Sequence, residues 1–157
     1  MKRYDFSQPL NADAELEDLL KQSGVDYRKT GGRFSFLFSN KGCKWQTVCD
    51  CVGERVLIYG IHPTPVRDEA SALAACSEIN RKAVAGGCFL SEGRLIFRTS
   101  AELFEPCAAA EALTRALEYN AAVMSAFWET MAQGAAGSHQ HSPFTREPRF
   151  GDKRKSN

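Results

Sequence analysis

Three of the chain's six cysteines lie within nine residues, in the stretch CKWQTVCDC from Cys43 to Cys51. Cysteine thiolates bind metal ions and act as nucleophiles or redox groups. The first hypothesis for this cluster is therefore a metal site or a redox site. A structural zinc site needs about four thiolate or imidazole ligands, usually from paired C-x2–4-C knuckles. On a strand, Cys49 and Cys51 would lie roughly 6.6–6.8 Å apart on one face. No second pair accompanies them, because Cys76, Cys88 and Cys107 are scattered along the chain.

The same stretch also suits the core of a sheet. Residues 44–52 alternate, so Trp45, Thr47, Cys49 and Cys51 share one face and Asp50 points to the other. Free cysteine is among the most buried residue types and behaves as a small hydrophobe. We therefore predict that these cysteines are core residues, and we assign no metal ligand, cofactor or catalytic residue. A metal-binding or redox sensor built on the cysteines stays as the alternative.

Histidines and carboxylates give no stronger catalytic pattern. A cysteine nucleophile needs a nearby base, and His62 is the single histidine of the predicted folded body, since His139 and His141 lie in the C-terminal tail. A Cys–His62 pair is possible, but nothing in the sequence places the two together. Three acids crowd the first turn of a predicted helix, where the helix dipole favours them: Glu15, Glu17 and Asp18. No phosphate-binding motif is present, and Gly31-Gly32 and Gly86-Gly87 are predicted turn glycines.

Composition excludes several classes of protein. The chain has 157 residues, 43% of them hydrophobic and 25% charged, with a net charge of +1. This balance argues against an intrinsically disordered chain and against a dedicated nucleic-acid binder. The first twenty residues contain no apolar run, which predicts no signal peptide, and no stretch of eighteen apolar residues predicts a membrane span. We therefore expect a cytoplasmic protein with reduced cysteines.

Hydrophobic periodicity predicts an α+β fold with an antiparallel sheet, in the order helix-strand-strand-strand-helix-strand-strand-helix. Asn11 or Asp13 can cap the first helix. The predicted elements are a helix over 11–24, an extended segment over 25–30, strands over 33–39, 44–52 and 55–61, a helix over 67–87, strands over 88–91 and 94–100, and a helix over 106–133. A second sheet face is expected to be apolar as well, with Leu37, Val48, Val52, Val56, Ile58, Leu90 and Ile96.

The run INRKAVAGGCFLSEGRLIFRTS resembles the middle of YbjN-like proteins, in which a helix passes through a glycine turn into a hairpin. The upstream segment GVDYRKTGGRFSFLFSN and the later LEYNAAVMSAFWETM are also similar to that family, in the same order. The resemblance implies a fold like that of type III secretion chaperones and a descriptive label of bacterial sensory transduction regulator. It implies no catalytic residues. Secretion chaperones of this fold dimerise and bind segments of client proteins.

We thus expect a loose leader over 1–10, a single YbjN-like domain over 11–132 and a disordered basic tail over 133–157. From residue 134 onward the chain carries five Lys/Arg and two acids. The expected role is a non-enzymatic, homodimeric protein-binding module, chaperone-like or a regulatory adaptor. Its expected partners are another protein and a second copy of the chain, with no membrane; nucleic-acid contact through the tail is the third, less favoured possibility.

Overall fold

A single antiparallel sheet of six strands organises residues 10–138, which are the residues that the computed structural model describes. Its strand order is β1-β2-β3-β4-β6-β5. The strands are β1 Arg28–Thr30, β2 Arg33–Asn40, β3 Cys43–Val52, β4 Arg55–Ile61, β5 Gly87–Ser91 and β6 Arg94–Glu102. The α+β class and the antiparallel sheet predicted from the sequence are confirmed. The structure adds the short edge strand β1 within the segment expected to be extended.

Four α-helices accompany the sheet in the described part of the chain. They are α1 Ala12–Gln22, α2 Glu69–Lys82, α3 Ala109–Ala126 and α4 Trp128–Ala136, and a short 3-10 helix, Pro106–Ala108, leads into α3. Asn11 caps α1 by accepting a hydrogen bond from the Ala14 amide at 3.2 Å. The predicted last helix is divided at Phe127, and its second part continues to Ala136, beyond the expected domain limit at residue 132. The expected leader, apart from Leu10, and most of the expected tail lie outside the described residues.

The helices pack against the face of the sheet that carries Phe34, Trp45 and Cys49. One core cluster joins α2, α4 and the C-terminal part of α3 to Trp45 and Phe97. The other joins α1 and the start of α3 to Phe34, Cys49 and Ile58. The opposite side of the sheet, which we call the open face, has no helix packed on it within residues 10–138.

The strand register at two turns shows that three residues were predicted on the wrong face of the sheet. The turn Gly53-Glu54 pairs Cys51 with Val56, and the ladder continues from there to pair Cys49 with Ile58. Val56 and Ile58 are fully buried on the helix-covered face, so their assignment to the second face was wrong. Leu90 was also misplaced, because it pairs with the buried Leu95 across the turn Glu92-Gly93. A tight two-residue turn fixes the register, and a shift of one residue moves every side chain to the other face.

Candidate functional site

The cysteines of the opening cluster lie in or beside the hydrophobic core. Cys49 is fully buried and shares a cluster with Phe34 and Ile58, and burial raises the pKa of its thiol. Cys51 is half-buried, and burial, followed by a hydrogen bond to the Asp13 carboxylate, raises its pKa to about 12. A thiol with a raised pKa is a weaker nucleophile at neutral pH, which disfavours catalysis by either cysteine. Among residues 10–138, no three His, Cys, Asp or Glu side chains form a group that could hold a metal ion.

The sulfur atoms that do meet belong to Cys76 and Cys88, which the sequence left scattered. Cys88 Sγ lies 3.5 Å from Cys76 Sγ, and both side chains are buried between α2 and β5. The hydrogen bond from the Cys88 thiol lowers the pKa of Cys76 and raises the pKa of Cys88. In the sequence, the one sign of this contact was the position of Cys76 near the apolar stripe of the predicted helix. The docking of α2 on β5 is what brings the two thiols together.

His62 is buried in a corner of the core. Its ring centroid lies 4.2 Å from that of Trp128, and its Nδ1 accepts a hydrogen bond from the Thr64 amide at 3.2 Å. Burial lowers the pKa of His62 to about 4, because the apolar surroundings penalise the charged ring. Neither of these two contacts of His62 involves a cysteine. A neutral, packed histidine of this kind has a structural role.

The state of His62 predicts a dependence of stability on pH. The unfolded chain takes up a proton on this ring near the ordinary value of 6.5, whereas the folded chain does so only near 4. Between these values the unfolded state binds more protons, so the free energy of unfolding should fall as the pH drops through this window, by about 2–3 kcal/mol. Urea unfolding at pH 7 and pH 4.5 measures this loss. The variant His62→Asn should lose less stability over the same interval, and an equal loss in both proteins would contradict the assignment.

The carboxylates singled out in the sequence hold elements together. Glu17 accepts hydrogen bonds from the Tyr27 hydroxyl at 2.5 Å and from Lys29 Nζ at 3.0 Å, which ties α1 to β1. The hydrogen bond to Glu17 raises the pKa of Tyr27 to about 12. Asp50 forms an ion pair with Arg33 at 3.2 Å on the open face. None of these contacts pairs two carboxylates, as general acid–base catalysis by such a pair would require.

The centre of the open face is apolar. In one row of paired residues, Ile61 of β4 lies beside Ile96 of β6, which lies beside Phe89 of β5. In the neighbouring row, Val48 of β3 pairs with Tyr59 of β4. We call these five half-buried residues the central patch. The Tyr59 and Phe89 rings meet edge to face at a centroid distance of 6.5 Å. Leu37 and Val52 also lie on the open face and are 65% and 57% exposed, but they pair with the polar residues Gln46 and Arg55.

Charged residues flank the central patch. Lys44 and Arg94 lie toward one end of the strands, and the acids Asp50 and Glu102 lie toward the other, each paired with an arginine. Glu102 forms an ion pair with Arg55 at 2.9 Å. An apolar centre with a polar and charged margin is the usual anatomy of a protein–protein interface.

Within residues 10–138, each helix is too short or too polar to span a membrane.

Comparison with solved structures identifies similar folds. The chain is similar to the crystal structure of YbjN, a proposed transcription regulator from E. coli, with a TM-score of 0.54, 15% sequence identity and coverage of 74% of this chain and 90% of that one. It is also similar to a chain in the structure of the HopA1-SchA chaperone-effector complex, with a TM-score of 0.52, 17% identity and coverage of 81% and 99%. No protein-family model and no curated protein matches the sequence. The fold is therefore YbjN-like and like that of type III secretion chaperones, as the sequence predicted.

Proposed function

We propose that this protein is a non-enzymatic protein-binding module, a chaperone-like or regulatory adaptor. The observation that carries the proposal is the open face, where the central patch has no covering helix in the described part of the chain. Surfaces that combine exposed apolar residues with a charged margin mark sites of protein interaction. The two similar structures support the same class, since one is described as a regulator and the other as a chaperone-effector complex. The expected place of action is the cytoplasm, where free thiols stay reduced.

The experiment that tests this function is reconstitution of a complex. The full chain is purified from its native host with bound proteins, and each retained protein is produced separately and recombined with the chain. A partner that rebinds at a fixed stoichiometry and is not chemically altered supports an adaptor. Turnover of a retained molecule, or the absence of any partner that rebinds, would contradict it.

We further propose that a second copy of the chain covers the central patch. A two-fold axis in the plane of the open face and across the strands places one patch on the other. Apolar contact at the centre favours this arrangement, and a polar margin is typical of such an interface.

Light scattering at micromolar concentration should therefore give the mass of a dimer. The variant Tyr59→Lys, which places a charge in the middle of the patch, should be monomeric under the same conditions. Leu73→Lys is the matched control, because Leu73 is 49% exposed on α2 and lies away from the open face. A monomeric wild-type chain, or equal dissociation by both variants, would overturn the dimer.

The geometry of Cys76 and Cys88 favours a second candidate function, a redox-sensitive dithiol. The hydrogen bond from the Cys88 thiol lowers the pKa of Cys76, which makes Cys76 the proposed attacking thiolate. With a hydroperoxide as oxidant, Cys76 takes one oxygen atom to form a sulfenic acid and releases water or an alcohol. The Cys88 thiol then attacks the sulfenic sulfur and releases one water as the S–S bond forms, so the two thiols lose two electrons and two protons in total.

Mild treatment with hydrogen peroxide should therefore link Cys76 to Cys88 before it modifies other thiols. Peptide mapping by mass spectrometry under non-reducing conditions detects the linked peptides. The variant Cys76→Ser should abolish the link, whereas Cys107→Ser, which removes an exposed thiol, should leave it unchanged. Oxidation of Cys107 with no link between Cys76 and Cys88 would exclude this candidate.

A further inference from the structure

Strand β6 extends beyond the last pair that it makes with β5. The β5–β6 ladder runs from the pair Ser91–Arg94 to the pair Gly87–Arg98 and stops there. On its other side, β6 stays paired with β4 up to Glu102. From Thr99 to Glu102, β6 therefore has a strand on one side only, and its other side is an edge of the sheet.

The register shows which main-chain groups point out of this edge. The His62 amide donates to the Leu95 carbonyl at 2.9 Å, and the Leu103 amide donates to the Glu54 carbonyl at 2.8 Å. In an antiparallel ladder the residues that face one neighbour alternate with those that face the other. The odd-numbered residues of β6 thus face β4. The N–H and C=O groups of Ser100 and Glu102 face away from it, toward the side where β5 is missing.

The outer edge of β5 is occupied, in contrast to the free part of β6. The Asn80 side chain on α2 accepts a hydrogen bond from the Cys88 amide at 2.7 Å and donates one to the Cys88 carbonyl at 3.0 Å. At the other end of the sheet, β1 is short and carries Arg28 and Lys29, which also protects an edge from unwanted pairing. Beyond Ser35, β2 has a strand on one side only and provides a second free edge for comparison.

A groove of about 850 Å³ follows the free edge of β6. Its side nearest α3 is formed by small and aromatic residues, Ala112, Ala116 and Tyr119, and its end is formed by the loop at Ala85–Gly87. The Tyr119 hydroxyl accepts a hydrogen bond from the Val84 amide at 2.9 Å, which fixes this loop beside α3. The groove borders the central patch, because its residue Arg98 pairs with Tyr59 and lies over the Phe89 ring.

The charge of the groove is positive. Three arginines and one acid line it, and two of the arginines already have carboxylate partners, since Arg55 pairs with Glu102 and Arg115 with Glu111. The Arg98 guanidinium lies 5.7 Å from the centre of the Phe89 ring and pairs with no carboxylate among the described residues. An occupant with acidic side chains on the Arg98 side and apolar side chains on the α3 side matches these two walls.

We propose that an extended segment of a partner protein, with alternating acidic and apolar side chains, adds as a strand to β6 at Ser100–Glu102. The inference rests on the proposed protein-binding function and deepens it. Main-chain hydrogen bonds to an exposed edge supply affinity in such strand addition, and alternate side chains supply specificity. The chain's own C-terminal segment, residues 139–157, is disfavoured as the occupant because it carries five Lys/Arg and two acids.

A synthetic peptide tests the proposal directly. Fluorescently labelled Glu-Val-Glu-Val-Glu-Val is titrated against the full chain and followed by anisotropy, with Lys-Val-Lys-Val-Lys-Val as the charge control. Ser100→Pro removes an outward N–H group and should weaken binding about tenfold or more. Ser39→Pro is the matched control, since Ser39 lies on the opposite edge of the sheet at β2. Arg98→Glu should weaken binding to a similar extent.

Backbone amide shifts of the unmodified protein give a second readout that does not depend on the folding of a variant. The Glu-Val peptide should perturb the amides of Ser100 and Glu102 more strongly than those of β2. No binding at millimolar peptide, equal binding of the Lys-Val peptide, or stronger effects at Ser39 than at Ser100 would each overturn the proposal. A dimer and a reconstituted partner complex that persist in that case would show that the binding function stands and only the strand-addition site fails.

Discussion

Replacing Gly86 with alanine is expected to reduce the free energy of unfolding by about 3 kcal/mol. Gly86 has a φ of +77°, and a Cβ atom there would collide with the Arg98 carbonyl oxygen. It would also lie 3.0 Å from the Phe97 ring and 3.1 Å from the Thr99 methyl group. These neighbours belong to β6 and to the core, so they cannot move aside without disturbing the ladder. Urea unfolding monitored by circular dichroism measures the change.

Gly93 provides a matched control for this substitution. Its φ is +74°, almost the same as that of Gly86, but a Cβ atom there would meet nothing within 4 Å. Gly93→Ala therefore carries the conformational cost alone, about 1 kcal/mol. Equal losses in the two variants would show that close approach of the loop to β6 contributes nothing. The same close approach closes one end of the groove along the free edge of β6, so the position connects stability with the proposed binding site.

Replacing Asn120 with aspartate is expected to destabilise the protein by about 3–5 kcal/mol at neutral pH. The Asn120 amide nitrogen donates to the Ile58 carbonyl at 3.1 Å, to the Phe97 carbonyl at 3.0 Å and to Thr99 Oγ1 at 3.2 Å. The side chain is 2% exposed. A carboxylate of the same shape would place negative charge against two carbonyl oxygens in the core.

The comparison with Asn120→Ala isolates this effect. The alanine variant removes the donor without adding charge and should lose about 1–3 kcal/mol. Because a protonated carboxyl group can donate one hydrogen bond, the difference between the two variants should shrink as the pH falls. Thermal and urea unfolding at pH 7 and pH 4 test both points. A difference between the variants that does not depend on pH would contradict the charge argument.

The sequence predicts the elements of this fold well because their signals are local. Alternation identifies β2 and β3, a mostly apolar run identifies β4, and glycine-containing turns separate the strands. Asn11, one of the two expected candidates, caps α1. Cys49 is correctly predicted as a core residue because it shares a face with Trp45. These predictions depend only on residues close together in the chain.

What the sequence does not predict depends on how the elements dock. Val56 and Ile58 were placed on the wrong face although the turn at residues 53–54 was predicted, because β4 is a mostly apolar run and only its pairing with β3 decides which side chains face the helices. The contact between Cys76 and Cys88 depends on the position of α2 against β5. The free edge of β6 results from the start of β5 at Gly87, opposite Arg98, and element boundaries are the least predictable feature of a sequence.

The two core clusters also give α3 a special position among the helices. Its first turns bury Ala109 and Leu113 with α1, and its later turns bury Val123 and Met124 with α2 and α4. Within residues 10–138, it is the helix that contributes to both clusters, and Asn120 anchors its middle to two strands. A strand bound beside Arg115 and Tyr119 would therefore contact the helix that both core clusters share. A shift of α3 on binding would change the packing of both clusters.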